Sequence, residues 1–283
     1  MFQPNLLSGK RILVTGGGTG LGKSMAKRFL ELGASVYICG RREQVLAEAA
    51  AELRAATGGT VEIFSCDVRD SARVEAMIES FWQDGPLDIL VNNAAGNFLA
   101  RTEELSNGAF EAVIGIVLMG TLYATMACAR RWIKQGHKAT VLNISTTYAQ
   151  NGSPYVVPSA IGKAGVLAMT RSLAVEWGKY GIRFNALAPG PVPTEGAFSR
   201  LMPAKELEGM AKKRNPLGRF GTHEELANLA AFLVSDQSGY VNGDFIVMDG
   251  GEWLKGAAEF SHLGDLLTDA QWQAMKPKKK TAE

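Results

Sequence analysis

The residues with the clearest chemical purpose are glycines. Thr15-Gly-Gly-Gly-Thr-Gly-Leu-Gly22 ends a short β-rich run and opens KSMAKRFLELGA, which has the apolar spacing of an amphipathic helix. Glycines between a strand and a helix permit a tight turn and bring backbone N–H groups onto a pyrophosphate, whose charge the helix dipole favours. Gly16, Gly17, Gly18, Thr19, Gly20, Leu21 and Gly22 are therefore the candidate dinucleotide cradle; the alternative is a flexible loop. The second β-rich run ends in Cys39-Gly-Arg-Arg42, where NAD enzymes usually carry a carboxylate for the ribose hydroxyls. Two guanidinium groups, Arg41 and Arg42, instead suit the 2′-phosphate of NADPH, because arginine offers bidentate, permanently charged donors. A solvated helix start is the competing explanation for that pair. Farther on, Ser159 and Lys163 stand four residues apart, one turn on a helix face. A serine there can hydrogen-bond but cannot replace a phenol as proton donor.

Other chemistries are excluded by composition and spacing. Cys39, Cys66 and Cys128 form no CxxC pair and are expected to be buried, reduced thiols, and His137, His223 and His262 are too scattered for a helix-borne metal site. No metal is expected. A net charge of +2 over 283 residues leaves no footprint for nucleic acid. The opening MFQPNLLSGK has no cationic segment followed by an apolar stretch, so the sequence predicts a cytoplasmic protein. Ala112 to Ala129 carries no charge, yet Gly115, Gly120, Thr121 and Thr125 dilute it, and it lies between two αβ units. The expectation is no membrane association, and burial of this run by oligomerisation, most simply in a homotetramer.

The elements that must position these residues follow an alternating pattern. Arg11 to Thr15, Ser35 to Cys39, Val61 to Ser65, Ile89 to Asn92, Thr140 to Ile144, Arg183 to Ala188 and Phe245 to Met248 are short apolar runs separated by helical segments. Strand–helix–strand repetition of this kind predicts a single-domain, doubly wound (Rossmann) parallel sheet of about seven strands with helices on both faces. The whole chain, 1–283, reads as one domain. A Pro-rich stretch over residues 190–221, with a helix inside it, is a candidate substrate loop, and residues 252–283 form a C-terminal extension ending in a lysine cluster.

Thr15 to Gly22, Asp67, Asn92-Asn-Ala-Ala-Gly96, Lys163 and Pro189-Gly190 together resemble the short-chain dehydrogenase/reductase family over about Gly9 to Gly251. The resemblance implies that Asp67 and Val68 meet the adenine, that Asn93 and Ala94 line the adenosine side, and that Pro189, Gly190, Pro191 and Val192 border the nicotinamide. Lys163 would bind the nicotinamide ribose. Three positions depart from the family pattern. Ser159 occupies the place of the catalytic Tyr, Thr146 that of the upstream Ser, and Val117 that of the fourth catalytic residue, an Asn.

The departures fit a narrower branch, the 2,4-dienoyl-CoA reductases, whose mitochondrial form carries Ser in the Tyr place and a catalytic Tyr upstream; here it would be Tyr148. In conjugate reduction, negative charge gathers on a thioester oxygen several bonds from the carbon that receives hydride, so the donor must be displaced from the ribose. Tyr148 and Asn97 are the expected oxyanion hole, with a strand-end aromatic and a turn residue as the structural alternatives. Tyr155, eight residues before Lys163, is expected to wall the pocket. The branch further implies Arg69 and Arg200 at coenzyme A phosphates, a surface salt bridge being the alternative for each, and Phe98 and Ser106 near the acyl chain. The resulting expectation is NADPH-dependent reduction of a 2,4-dienoyl-CoA to a 3-enoyl-CoA, with an acyl-CoA thioester as partner. Another short-chain reductase acting on enoyl, 3-oxoacyl or carbonyl substrates, and a non-catalytic dinucleotide-binding protein, are the alternatives.

Overall fold

A computed structural model describes residues 3–194, 205–257 and 268–274 of the chain. The seven apolar runs are strands: β1 (Arg11–Thr15), β2 (Ser35–Gly40), β3 (Val61–Ser65), β4 (Ile89–Asn92), β5 (Ala139–Ile144), β6 (Ile182–Pro189) and β7 (Phe245–Met248). No end differs from its sequence-based expectation by more than one residue. Every pairing is parallel, in the order β3-β2-β1-β4-β5-β6-β7. The order reverses between β1 and β4, and in such sheets ligands bind in the crevice beyond the strand C-termini at that reversal.

Side chains alternate across the sheet. Ile12 and Val14 of β1 join one core with Phe29 and Leu46, while Leu13 joins another with Ile78 and Trp132. Both faces are covered over the inner strands, which is why those read as mostly apolar rather than alternating, while edge strands β3 and β7 are less buried. Phe29 and Trp132 are fully buried, and truncating either to Ala would cost roughly 3–5 kcal/mol.

Helices α1 (Gly20–Glu31), α2 (Glu43–Thr57) and α3 (Ser71–Trp82) follow the first three strands. Asp70 starts α3 by accepting from the Ala72 and Arg73 N–H groups. After β4 come α4 (Asn107–Ile114), a π-turn over Gly115–Met119, and α5 (Gly120–Gln135). Together they make a 29-residue helix with a mean hydropathy of 1.9 over its most apolar window, half of which is buried inside the protomer. It packs on α3 and on α7 (Val157–Trp177), which follows the one-turn α6 (Tyr148–Asn151). Then come α8 (Lys205–Arg214), α9 (His223–Val234), α10 (Glu252–Ala257) and α11 (Asp269–Ala274). The expected helix inside the Pro-rich stretch is α8. The three cysteines are buried free thiols, and burial pushes Cys39 up to about 12 and Cys66 up to about 11. They are poor nucleophiles.

Candidate active site

The candidate residues converge beyond the strand C-termini. Gly16 turns the chain out of β1 at φ +67, a conformation that favours glycine. The turn is stapled to the end of β4: the Asn93 side chain donates to the carbonyls of Thr15 (2.9 Å) and Gly16 (3.3 Å), while Thr15 Oγ1 accepts from the N–H groups of Asn93 and Ala94, each at 3.0 Å. A Cβ on Gly22 would fall 2.5 Å from both Asn93 Nδ2 and the Gly16 carbonyl, so only glycine lets α1 approach so closely. Asn93, expected beside adenosine, is thus also a structural clamp on the cradle.

Helix α1 starts without a capping side chain at Thr19 and without an acidic residue in its first turn. Its first N–H groups and its positive dipole end therefore have no internal anion, and these residues fit a pyrophosphate. Arg41 and Arg42, exposed between β2 and α2, have no ion-pair partner among the described residues. Asp67, after β3, is engaged: Arg69 chelates both its oxygens, with Nη2 to Oδ2 at 2.6 Å. Hydrogen bonding to Arg69 holds the Asp67 carboxyl below its usual range. Arg69 therefore makes the salt bridge of the structural alternative. Val68 is buried against Gly120.

At the catalytic end, Tyr148 begins α6 rather than ending a strand. Its phenol oxygen accepts a hydrogen bond from Asn97 Nδ2 at 3.3 Å and lies 3.1 Å from Ser159 Oγ. Asn97 is fixed in turn, because its Oδ1 accepts the Phe98 N–H at 2.9 Å. Ser159 is 2% exposed on the first turn of α7, and Lys163 lies one turn later, 6% exposed, donating to the Ile144 carbonyl. Burial pushes the Lys163 ammonium down to about 8. The adjacent hydroxyls of Ser145 and Thr146 are buried without a hydrogen-bond partner among the described residues. Val117, in the π-turn, is buried, and the Cβ that Gly162 lacks would stand 3.0 Å from it, so an apolar contact fills the place of the family's Asn.

The remaining residues are less drawn together. Tyr155 is 58% exposed at φ +65. Ser106 caps α4 by accepting from Ala109 N–H, and Phe98 is half-buried after β4. Pro189, Gly190, Pro191 and Val192 leave β6 toward the crevice, held by a hydrogen bond from Gly221 N–H to the Pro191 carbonyl at 3.1 Å. Arg200 lies outside the described residues. Sequence reasoning missed Thr194, whose methyl carbon comes within 3.4 Å of a Cβ built on Gly20. No cluster of three or more His, Cys, Asp or Glu residues that could hold a metal ion occurs among the described residues.

A family model described as enoyl-(acyl carrier protein) reductase matches residues 16–252. The chain is 52% identical to an uncharacterized oxidoreductase, F53C11.3, of Caenorhabditis elegans, covering 94% of this chain and 86% of that one. It is 48% identical to a probable (2E)-enoyl-CoA-producing 2,4-dienoyl-CoA reductase of Bacillus subtilis, over 87% and 97%. It is 47% identical to the probable (3E)-enoyl-CoA-producing 2,4-dienoyl-CoA reductase 3 of C. elegans, over 94% and 87%. Among solved structures, a short chain dehydrogenase from Bacillus anthracis superposes with TM-score 0.79 at 44% identity, over 86% of this chain and 96% of that one. A gluconate 5-dehydrogenase from Burkholderia cenocepacia in complex with NADP and tartrate gives 0.83 at 33% identity, over 90% and 98%. Likeness of this extent, carried by the glycine turn and by the same parallel sheet, makes the chain a member of the short-chain dehydrogenase/reductase family.

Proposed function

We propose that the protein reduces 2,4-dienoyl-CoA thioesters to 3-enoyl-CoA thioesters with NADPH. The observation that carries this reading is the phenol of Tyr148 held between Asn97 and Ser159, with no tyrosine one turn before Lys163. The glycine cradle fits the cofactor's pyrophosphate, and Arg41 and Arg42 its 2′-phosphate. NADPH, when bound, supplies hydride to the far end of the diene. Lys163 would hold the nicotinamide ribose.

As hydride arrives, electrons move through the diene to the thioester oxygen. Tyr148 and Asn97 meet that charge. Asn97 keeps one N–H for the phenol and has a second for the thioester, while its oxygen is committed to Phe98. If Ser159 donates to the phenol oxygen as Asn97 does, the phenol's own proton is free to bind the thioester oxygen, and two incoming hydrogen bonds polarise it further. Collapse of the dienolate takes a proton from water at the α-carbon and leaves the 3-enoyl product. Relatives whose names specify (3E) or (2E) products show that the protonation site is worth measuring in its own right.

The test is NADPH oxidation with a panel of 2,4-dienoyl, 2-enoyl and 3-oxoacyl thioesters. The reading predicts turnover with the dienoyl thioester well above the other two. A preference for the 2-enoyl thioester would favour the second reading, which the family model's own description supports. Dinucleotide binding with no turnover on any thioester would indicate a non-catalytic binding protein.

A further inference from the structure

Two features of α9 have no place in the chemistry above: His223, its first residue, and the way its N-terminus meets the loop after β6. His223 Nε2 lies 2.5 Å from the Pro193 carbonyl oxygen, and Nδ1 lies 2.6 Å from Ser24 Oγ in α1. A carbonyl can only accept, so Nε2 carries a proton and donates. Ser24 Oγ also lies 3.1 Å from the Gly20 carbonyl oxygen, so its one proton faces both that carbonyl and Nδ1. A continuous chain of polar contacts thus runs from the loop after β6, through one imidazole, to Gly20, the fourth glycine of the cradle.

The imidazole is mounted rigidly. Thr222 and Glu225 form a reciprocal cap at the start of α9, and Glu225 is gripped by Arg219, at 2.6 Å from Nη2. That pairing, with Thr222 N–H, holds the Glu225 carboxyl down to about 2, so the anchor stays charged across the neutral range. One residue beyond the carbonyl that His223 holds is Thr194, which stands over Gly20.

We infer that His223 is a positioning residue for the dinucleotide, fixing Pro193 and Thr194 over the cradle so that this loop closes on the nicotinamide side of the pyrophosphate. The inference rests on the reading that the cradle binds NADPH. It differs from the roles of Arg41 and Arg42, which concern the adenosine end alone.

The experiment compares wild type, His223→Ala, His223→Gln and Ser24→Ala, using fluorescence titration with NADPH and calorimetric titration with 2′,5′-ADP, which carries the adenosine end without nicotinamide. Loss of one charge-assisted or strongly aligned hydrogen bond corresponds to about a tenfold change in affinity. His223→Ala should weaken NADPH by about tenfold and leave 2′,5′-ADP unchanged, and His223→Gln, which keeps a donor for Pro193, should recover most of the loss. Ser24→Ala should produce a smaller loss of NADPH affinity. Equal NADPH affinity in wild type and His223→Ala would overturn the inference while leaving the cofactor reading intact. Equal weakening of NADPH and 2′,5′-ADP would also overturn it, since that marks general damage to the fold. Should His223→Ala not fold, unchanged NADPH affinity in Ser24→Ala would overturn it. Wild type that binds neither probe would defeat the cofactor reading and this inference with it.

Discussion

The phenol oxygen of Tyr148 and the hydroxyl of Ser159 lie 3.1 Å apart, although they belong to different helices and Ser159 is almost wholly buried. The serine is therefore expected to serve the tyrosine rather than the substrate. Ser159→Ala should lower kcat by a factor of about three to ten, the effect of a single hydrogen bond worth roughly 0.5–1.5 kcal/mol. Steady-state kinetics with a 2,4-dienoyl-CoA would check this. Ser159→Tyr should not restore dienoyl reduction to a Tyr148→Phe background, because a phenol one turn before Lys163 sits beside the ribose and not at the distant thioester oxygen. Rescue there would contradict the assignment.

Cofactor choice is expected to depend on Arg41 and Arg42. NADPH should bind more tightly than NADH, and the double substitution Arg41→Ala, Arg42→Ala should narrow the gap by about tenfold or more, chiefly through weaker NADPH binding. Equal affinities for the two cofactors in the unmodified protein would reject the assignment.

Lys163 sits against its own stability. Its folded value, about 8, lies below the ordinary 10.5, so the folded state disfavours the charged form. The resulting penalty is fully present below pH 8 and fades as pH rises toward 10.5. Lys163→Met should therefore melt no lower than wild type at pH 7, with any advantage shrinking between pH 8 and 10.5, while NADPH affinity falls by about tenfold. Thermal melts across that range check the sign. A destabilisation at pH 7 that diminished at lower pH would contradict it.

Apolar surface on α7, with Ile161 47% exposed and Val175 86% exposed, adds to the half-buried run of α4 and α5. Exposed apolar side chains on neighbouring helices are the basis for expecting an interface between copies. Light scattering at micromolar concentration should return a tetramer mass; a monomer mass would contradict this.

Much of the frame was legible because the five inner strands are largely buried on both faces and hence read as mostly apolar runs, bounded by glycine or by a helical period. The cradle was legible for the same reason: Gly16 and Gly22 are demanded by contacts local to one turn and its neighbouring strand. Tyr148 and Asn97 were found through family resemblance. Spacing alone gives no hint that residues 51 apart share a hydrogen bond, since only the β4–β5 pairing brings their loops together. Thr194 and His223 were missed. The scattered histidines were weighed as metal ligands, and nothing in sequence signals that α9 returns to the cradle 199 residues after Ser24. Arg69 shows another limit: a coenzyme A phosphate, by family resemblance, and a surface salt bridge were both open for it, and in the structure it pairs with Asp67.

The central claim, that Tyr148 carries the oxyanion of a conjugate reduction, is tested most directly by kcat for NADPH-dependent turnover of a 2,4-dienoyl-CoA in wild type, Tyr148→Phe, Ser159→Ala and Tyr155→Phe. Removing the phenolic donor while keeping the ring should lower kcat by about 10²–10³ with little change in KM, because the hydrogen bond matters most when charge has developed. Near-full activity in Tyr148→Phe, with activity abolished in Ser159→Ala or Tyr155→Phe, would contradict the claim.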